Sequence, residues 1–122
     1  MSQNKRILIA EDEEFIANLY KINLEKHDVT VDVVPEGKAA ITSIEQSPPD
    51  LLLLDLLMPD TDGFQVLEHI RKQGHTFPVV ILTNLSQDID KKKCQELGAA
   101  DFFVKSDLSV EELWGKLQQY LL

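Results

Sequence analysis

Four short apolar runs in this chain each lead into a residue able to do chemistry. Lys5 to Ala10 precedes Glu11 and Asp12, Leu51 to Leu54 precedes Asp55, Pro78 to Leu82 precedes Thr83, and Asp101 to Val104 precedes Lys105. Three carboxylates brought within a few ångströms repel one another and cannot all stay ionised cheaply without a cation between them. Mg²⁺ suits such a set, because it prefers oxygen ligands, keeps several waters and is commonly held by one or two carboxylates plus a phosphate oxygen. Lys105 and Thr83 would then supply a charge and a hydroxyl to the equatorial oxygens of a transferring phosphoryl group, a reaction catalysed mostly by positioning and charge neutralisation. Asp55 is the expected nucleophile: it ends the most apolar run, between the acidic pair and the two donors, and carboxylates form aspartyl-phosphates.

These residues meet only if the runs are neighbouring strands whose carboxyl ends converge. Strands are expected over 5–10, 29–33, 50–55, 78–83 and 101–104, alternating with segments of helical period. The first helix, about 14–26, places Phe15, Leu19 and Ile22 on its apolar face, and the second, about 36–46, uses Ala40, Ile41 and Ile44 before Ser47-Pro48-Pro49 stops it. The third, about 63–73, uses Phe64, Leu67 and Ile70 and ends at Gly74. The fourth, about 87–97, is expected to be N-capped by Ser86 and to end at Gly98. Ser109 and Glu112 fit a capping box for a last helix with Val110, Leu113, Trp114, Leu117 and Leu121 as its core stripe. Short connections and right-handed crossovers make this a doubly wound α/β fold, whose ligands sit at the carboxyl ends of strands 1 and 3.

With 122 residues the chain is expected to be one domain, 1–122, with no appended output module. A net charge of −9 argues against direct nucleic-acid binding and for a protein partner. The apolar runs are too short to span a membrane and the start MSQNKR lacks a signal-peptide pattern, so a cytoplasmic location is expected. Cys94 has no partner for an internal disulfide and reads as an inert, half-buried helix residue. His27, His69 and His75 lack ligand spacing, and Lys91-Lys92-Lys93 reads as a solvated helix face.

The segments ILIAEDE, LLLLDLLMPDTDGF, VVILTN and GAADFFVK, in that order and spacing, closely resemble the motifs of bacterial response-regulator receivers of two-component systems. The resemblance covers essentially the whole chain and implies a flavodoxin-like sheet of order 2-1-3-4-5 with five helices, as in stand-alone, chemotaxis-type receivers. It implies that Glu11 and Asp12 bind Mg²⁺ together with Asp55 and the backbone carbonyl of Leu57. It also implies that Asp55 is the phosphoacceptor, Thr83 the switch hydroxyl, Lys105 the phosphate-pairing lysine and Phe102 the switch aromatic. The donor it implies is a phosphohistidine of a histidine kinase or phosphotransfer protein. Such a protein catalyses only its own phosphorylation and dephosphorylation and passes the signal to a downstream protein. It is expected to be a monomer, with a dimer through helix 4, strand 5 and helix 5 as the alternative.

Two departures from that family's pattern carry expectations of their own. Ser106 stands where most receivers have proline, which predicts a trans loop at Lys105. Leu57 and Leu85, two residues past Asp55 and Thr83, cannot hydrogen-bond a hydrolytic water, which predicts slow autodephosphorylation. Helix 4 has the fewest apolar anchors, Ile89, Cys94 and Leu97, and is expected to shift with strand 5 and helix 5 on phosphorylation. Among the rival functions, an aspartyl-phosphate phosphatase would want a second Asp at position 57. A flavin carrier would want a phosphate loop where Glu11 to Glu14 stand. A phosphorylation-inactive interaction module keeps the fold without the chemistry.

Overall fold

Branched aliphatic side chains fit a pleated surface, and a run of them without polar alternation fits a strand covered on both faces. A computed structural model, describing residues 4–122, places five such runs in one parallel sheet of order β2-β1-β3-β4-β5. The strands are β1 (Lys5–Ala10), β2 (Val29–Val34), β3 (Leu51–Leu54), β4 (Val79–Thr83) and β5 (Asp101–Val104). They alternate with α1 (Glu14–Leu24), α2 (Gly37–Gln46), α3 (Gly63–Lys72), α4 (Asp88–Glu96) and α5 (Val110–Leu117). Ala10 pairs with Leu54, Leu54 with Ile81, and Thr83 with Val104, so the residues that follow these strands emerge along one edge.

Alternation along the strands divides the core in two. Leu8, Ala10, Leu52, Leu54, Val79 and Ile81 pack with residues of α2, α3 and α4, whereas Ile7, Ile9, Leu51, Leu53, Val80 and Leu82 pack with residues of α1 and α5. All four leucines of β3 are buried, and burying one such side chain contributes about 1.5–3 kcal/mol. The capping box expected at Ser109 forms, Glu112 N donating to Ser109 Oγ at 3.1 Å and Ser109 N to Glu112 Oε1 at 3.0 Å. No helix among the described residues is long and apolar enough to cross a membrane.

Three local expectations are corrected. Phe15 and Ile22 face solvent, 79% and 61% exposed, and α1 buries Ala17, Tyr20 and Leu24 instead. The helix carries two apolar stripes on nearly opposite faces, and the one with Tyr20 and Leu24 packs on the sheet; ahead of it Glu13 N donates to the buried Glu11 carboxylate at 3.0 Å. Ser86 does not cap α4, which starts after Gln87 without any side-chain cap bond; Asp88 and Asp90 favour the start there by lying at the positive end of the helix dipole. Of the expected anchors of α4, Ile89 is exposed and Leu97 half-buried, whereas Cys94 is fully buried rather than half-buried, because it is the residue of α4 that points at the sheet.

The other motifs find ordinary surroundings. His27 stacks on Trp114 with ring centres 4.5 Å apart, and His69 Nε2 lies 2.8 Å from Glu45 Oε1. The lysine run is not wholly solvated: Lys93 Nζ sits 4.3 Å over the Phe64 ring and Lys91 Nζ 5.8 Å over Phe102. No peptide bond among the described residues is cis, so Lys105 is delivered by a trans loop, a short 3₁₀ turn over Lys105–Asp107.

Candidate functional site

Two sheet hydrogen bonds carry the backbone one residue past the strands and fix the first two carboxylates. Glu11 N donates to Val34 O at 3.0 Å, continuing the β1–β2 ladder, and Asp55 N donates to Ala10 O at 3.1 Å, continuing β1–β3. Both side chains are therefore held at the edge of the core, Glu11 3% and Asp55 4% exposed, whereas Asp12 is exposed. One oxygen from each of Glu11, Asp12 and Asp55 lies within 4.8 Å of the others.

Lys105 enters this cluster from the end of β5. Its Nζ donates to Asp55 Oδ2 at 2.8 Å, lies 2.5 Å from Glu11 Oε1 and 4.0 Å from Glu13 Oε1. The other oxygen of Asp55 accepts from Leu57 N at 3.1 Å. Burial pushes the Glu11 carboxyl above its ordinary range, against the opposing pull of the Lys105 hydrogen bond and the Glu13 amide, and the Asp55 charge pushes the same way. Burial by itself would discharge Lys105, but hydrogen bonds to Asp55 and Glu11 more than reverse that and hold the ammonium firmly charged. Glu11, Asp12 and Asp55, with Lys105 as the ammonium paired to Glu11 and Asp55, leave an excess of negative charge on oxygen donors, which is the chemistry a hard divalent cation matches.

Thr83 ends β4 fully buried, beside Val104 and thus next to the strand that delivers Lys105, and its hydroxyl oxygen accepts from Leu85 N at 3.3 Å, a bond that leaves its O–H able to donate. Phe102 pairs with Ile81 and packs half-buried on the α4 side of the sheet. Leu57 is half-exposed through its side chain, while Leu85 packs against the core. Glu11, Asp12, Asp55 and Lys105 thus form one cluster, and Thr83 and Phe102 flank it on the neighbouring strands.

The sequence reading missed the scaffold of this site. Asp62 caps α3 with a full capping box, Gln65 N donating to Asp62 Oδ1 at 2.9 Å and Asp62 N to Gln65 Oε1 at 3.2 Å. A Cβ on Gly63 would lie 2.7 Å from the Asp55 carbonyl oxygen and 2.7 Å from Leu56 Cα, so only glycine lets α3 start this close to the end of β3. Asp60 bonds the amino end of α2. The Pro-Asp-Thr-Asp-Gly run carries turn and cap chemistry that could have signalled all three. Beside Lys105, a cleft of about 350 Å³ opens between α1 and the β5–α5 loop, walled by Phe15, Ile16, Tyr20, Leu108 and Val110.

Comparison with known proteins agrees with this arrangement. The family model described as "Response regulator receiver domain" matches residues 7–118. The chain is 38% identical over 102 residues to the alkaline phosphatase synthesis transcriptional regulatory protein PhoP of Bacillus subtilis, covering 84% of this chain and 42% of that protein. It is 36% identical over 115 residues to the response regulator ArlR of Staphylococcus epidermidis, covering 94% and 52%. The chain thus spans about half the length of these curated relatives. Among solved structures, the BeF₃-activated N-terminal receiver domain of Klebsiella pneumoniae RstA superposes with a TM-score of 0.86 at 34% identity, covering 95% of this chain and 97% of that one. The receiver domain of the Francisella response regulator 1452 gives 0.89 at 30% identity, with 97% of each chain covered. Motifs, sheet order, acidic cluster and relatives coincide, and the chain belongs to the response-regulator receiver domains, the phosphoryl-accepting switches of two-component systems.

Proposed function

We propose that Asp55 is the phosphoacceptor of a receiver domain spanning 1–122, with a phosphohistidine of a histidine kinase or phosphotransfer protein as donor. An Asp55 carboxylate oxygen attacks phosphorus, the P–N bond of the donor breaks, and its electron pair stays on the imidazole nitrogen, leaving an acyl phosphate. Glu11, Asp12, Asp55 and the Leu57 carbonyl would hold Mg²⁺, which when bound neutralises and orients the phosphoryl oxygens. Lys105 follows the charge as it passes from the carboxylate to the phosphoryl group. The observation that carries this reading is the double engagement of Asp55: one oxygen on Lys105 Nζ, the other on the Leu57 amide, at the centre of the acidic cluster.

The Thr83 O–H donates to the new phosphate, Phe102 turns inward beside it, and α4, β5 and α5 carry the change to a downstream protein. The acidic net charge supports a protein rather than a nucleic-acid partner, the protein is read as a cytoplasmic monomer, and the partly apolar cleft beside Lys105 supports the donor's approach over α1. A dimer through α4, β5 and α5 is the alternative assembly.

Incubation with acetyl phosphate and Mg²⁺, read by intact mass, tests the assignment. Wild type gains one phosphoryl group; Asp55→Asn and chelated wild type gain none. Labelling of Asp55→Asn at the wild-type level would place the acceptor elsewhere, and no labelling of wild type would favour the phosphorylation-inactive module. The apolar Leu57 and Leu85 also predict a long-lived acyl phosphate, because neither side chain can orient an in-line water. Leu57→Asn is expected to lose its label several-fold faster than wild type, and equal rates would remove that idea.

A further inference from the structure

The stretch between β3 and α3 has no ladder of its own, yet it must hold a fixed course past the acidic cluster. Its ends are anchored locally: Leu57 N donates to Asp55 Oδ1 at 3.1 Å, Gly63 N to Leu56 O at 3.0 Å, and Asp62 caps α3. Its middle is anchored by a long reach. Asp60 Oδ1 accepts from Gly37 N at 2.9 Å and Asp60 Oδ2 from Lys38 N at 3.0 Å, so both oxygens grip adjacent amides at the start of α2. A two-oxygen grip fixes orientation as well as distance, and the positive end of a helix favours a carboxylate there.

Among the described residues that start of α2 has no other carboxylate partner of this kind: Glu36 at the N-cap position makes no side-chain cap bond and the first turn carries no acidic residue. The two segments are also in close contact, since a Cβ on Gly37 would lie 2.7 Å from Thr61 Cβ and 2.9 Å from Thr61 O. Helix α2 is itself fixed to the sheet by the fully buried Ala40 and Ile44. Asp60 therefore refers an otherwise irregular loop to a rigid part of the fold.

We infer that Asp60 is a positioning residue for the cation site: through α2 it holds the backbone of 57–59 on the course that lets it face a cation shared with Glu11, Asp12 and Asp55. The inference rests on the reading of that cluster as a Mg²⁺ site. Asp60 acts only through the loop and reaches none of the reacting atoms.

Calorimetric titration with Mg²⁺, well below the unfolding temperature, tests it on the full chain and its variants. Asp60→Ala is expected to bind Mg²⁺ about 10-fold more weakly, the usual scale for a residue that supports ligands from outside their shell. Asp60→Asn, which keeps one acceptor oxygen but sets its NH2 against the second helix amide, recovers only part of that loss. Ser109→Ala, which removes the cap of α5 and touches neither the loop nor α2, lowers the unfolding temperature and leaves the affinity unchanged. Equal weakening by Asp60→Ala and by Glu36→Gln, which removes a charge at the same helix start but no cap bond, would make the effect one of charge and overturn the inference, as would a destabilised Asp60→Ala of wild-type affinity. The cluster has its own control: Mg²⁺ affinity that is the same in Asp55→Asn as in wild type would sink the reading of the site itself, and the role of Asp60 with it.

Discussion

Helices α3 and α4 follow neighbouring central strands and end in the same way, yet they are held very differently. Each ends on a glycine in the left-handed region, Gly74 at φ 83° and Gly98 at φ 86°, and the next amide bonds back to the helix, His75 N to Ile70 O and Ala99 N to Cys94 O. Arg71 ties the two ends together, donating to the carbonyls of His75 and Phe77 and, at 2.8 Å, to that of Gly98. Their starts and inner faces differ. α3 begins in a capping box and buries Gly63, Val66, Leu67 and Ile70; α4 begins without a side-chain cap and buries Cys94 alone. One receiver thus carries a fixed helix beside the cluster and a loosely seated one a strand away, clasped at its carboxyl end. A switch needs both, because a change at a rigid site is transmitted only through an element with a low cost of moving.

The difference can be broken by substitution. Leu67→Ala is expected to cost about 2–5 kcal/mol in urea unfolding, since Leu67 is fully buried, whereas Ile89→Ala should fall within about 0.5 kcal/mol. An Ile89→Ala cost approaching that of Leu67→Ala would mean that α4 is seated as firmly as α3. A second measure uses Cys94, whose thiol burial pushes up to about 11, with the Asp90 charge adding to it. At pH 8 a disulfide reagent should therefore react far more slowly than with unfolded chain, and through opening of α4. Reaction should outpace exchange of the α3 amides; if it merely keeps step with global unfolding, α4 does not open on its own. The smallest effect concerns the caps. Asp62→Ala should cost about 1 kcal/mol while Gln87→Ala changes little, and Gln87→Ser should stabilise by up to about 1 kcal/mol by supplying the missing cap.

The same contrast governs what could be read in advance. Asp55 and Glu11 were legible because a long apolar run leaves few places for a carboxylate to emerge, and β5 and the Ser109 cap were legible because their signals lie within a few residues. The face of α1 was not, because Phe15, Leu19 and Ile22 and the stripe of Ala17, Tyr20 and Leu24 are both helical in spacing. Local pattern cannot choose between two such faces; packing against the sheet and α5 does. The start of α4 was misplaced for a related reason, since Ser86 has cap chemistry but the chain does not turn there.

By itself, then, the order of residues determined the sequence of strands and helices, the presence of an acidic and phosphoryl-directed cluster, and the membership its motifs announce. The strand order was known from related sheets rather than read from this chain, because adjacency across a sheet is a relation between distant segments. Only the tertiary structure decided that Lys105 is shared between Glu11 and Asp55, that the Thr83 hydroxyl is engaged by Leu85, and that Asp60 grips α2 from 22 and 23 residues away in the chain. Those contacts depend on angles and depths set by packing, and a carboxylate in a turn looks the same in sequence whether it meets water, a helix end or a cation.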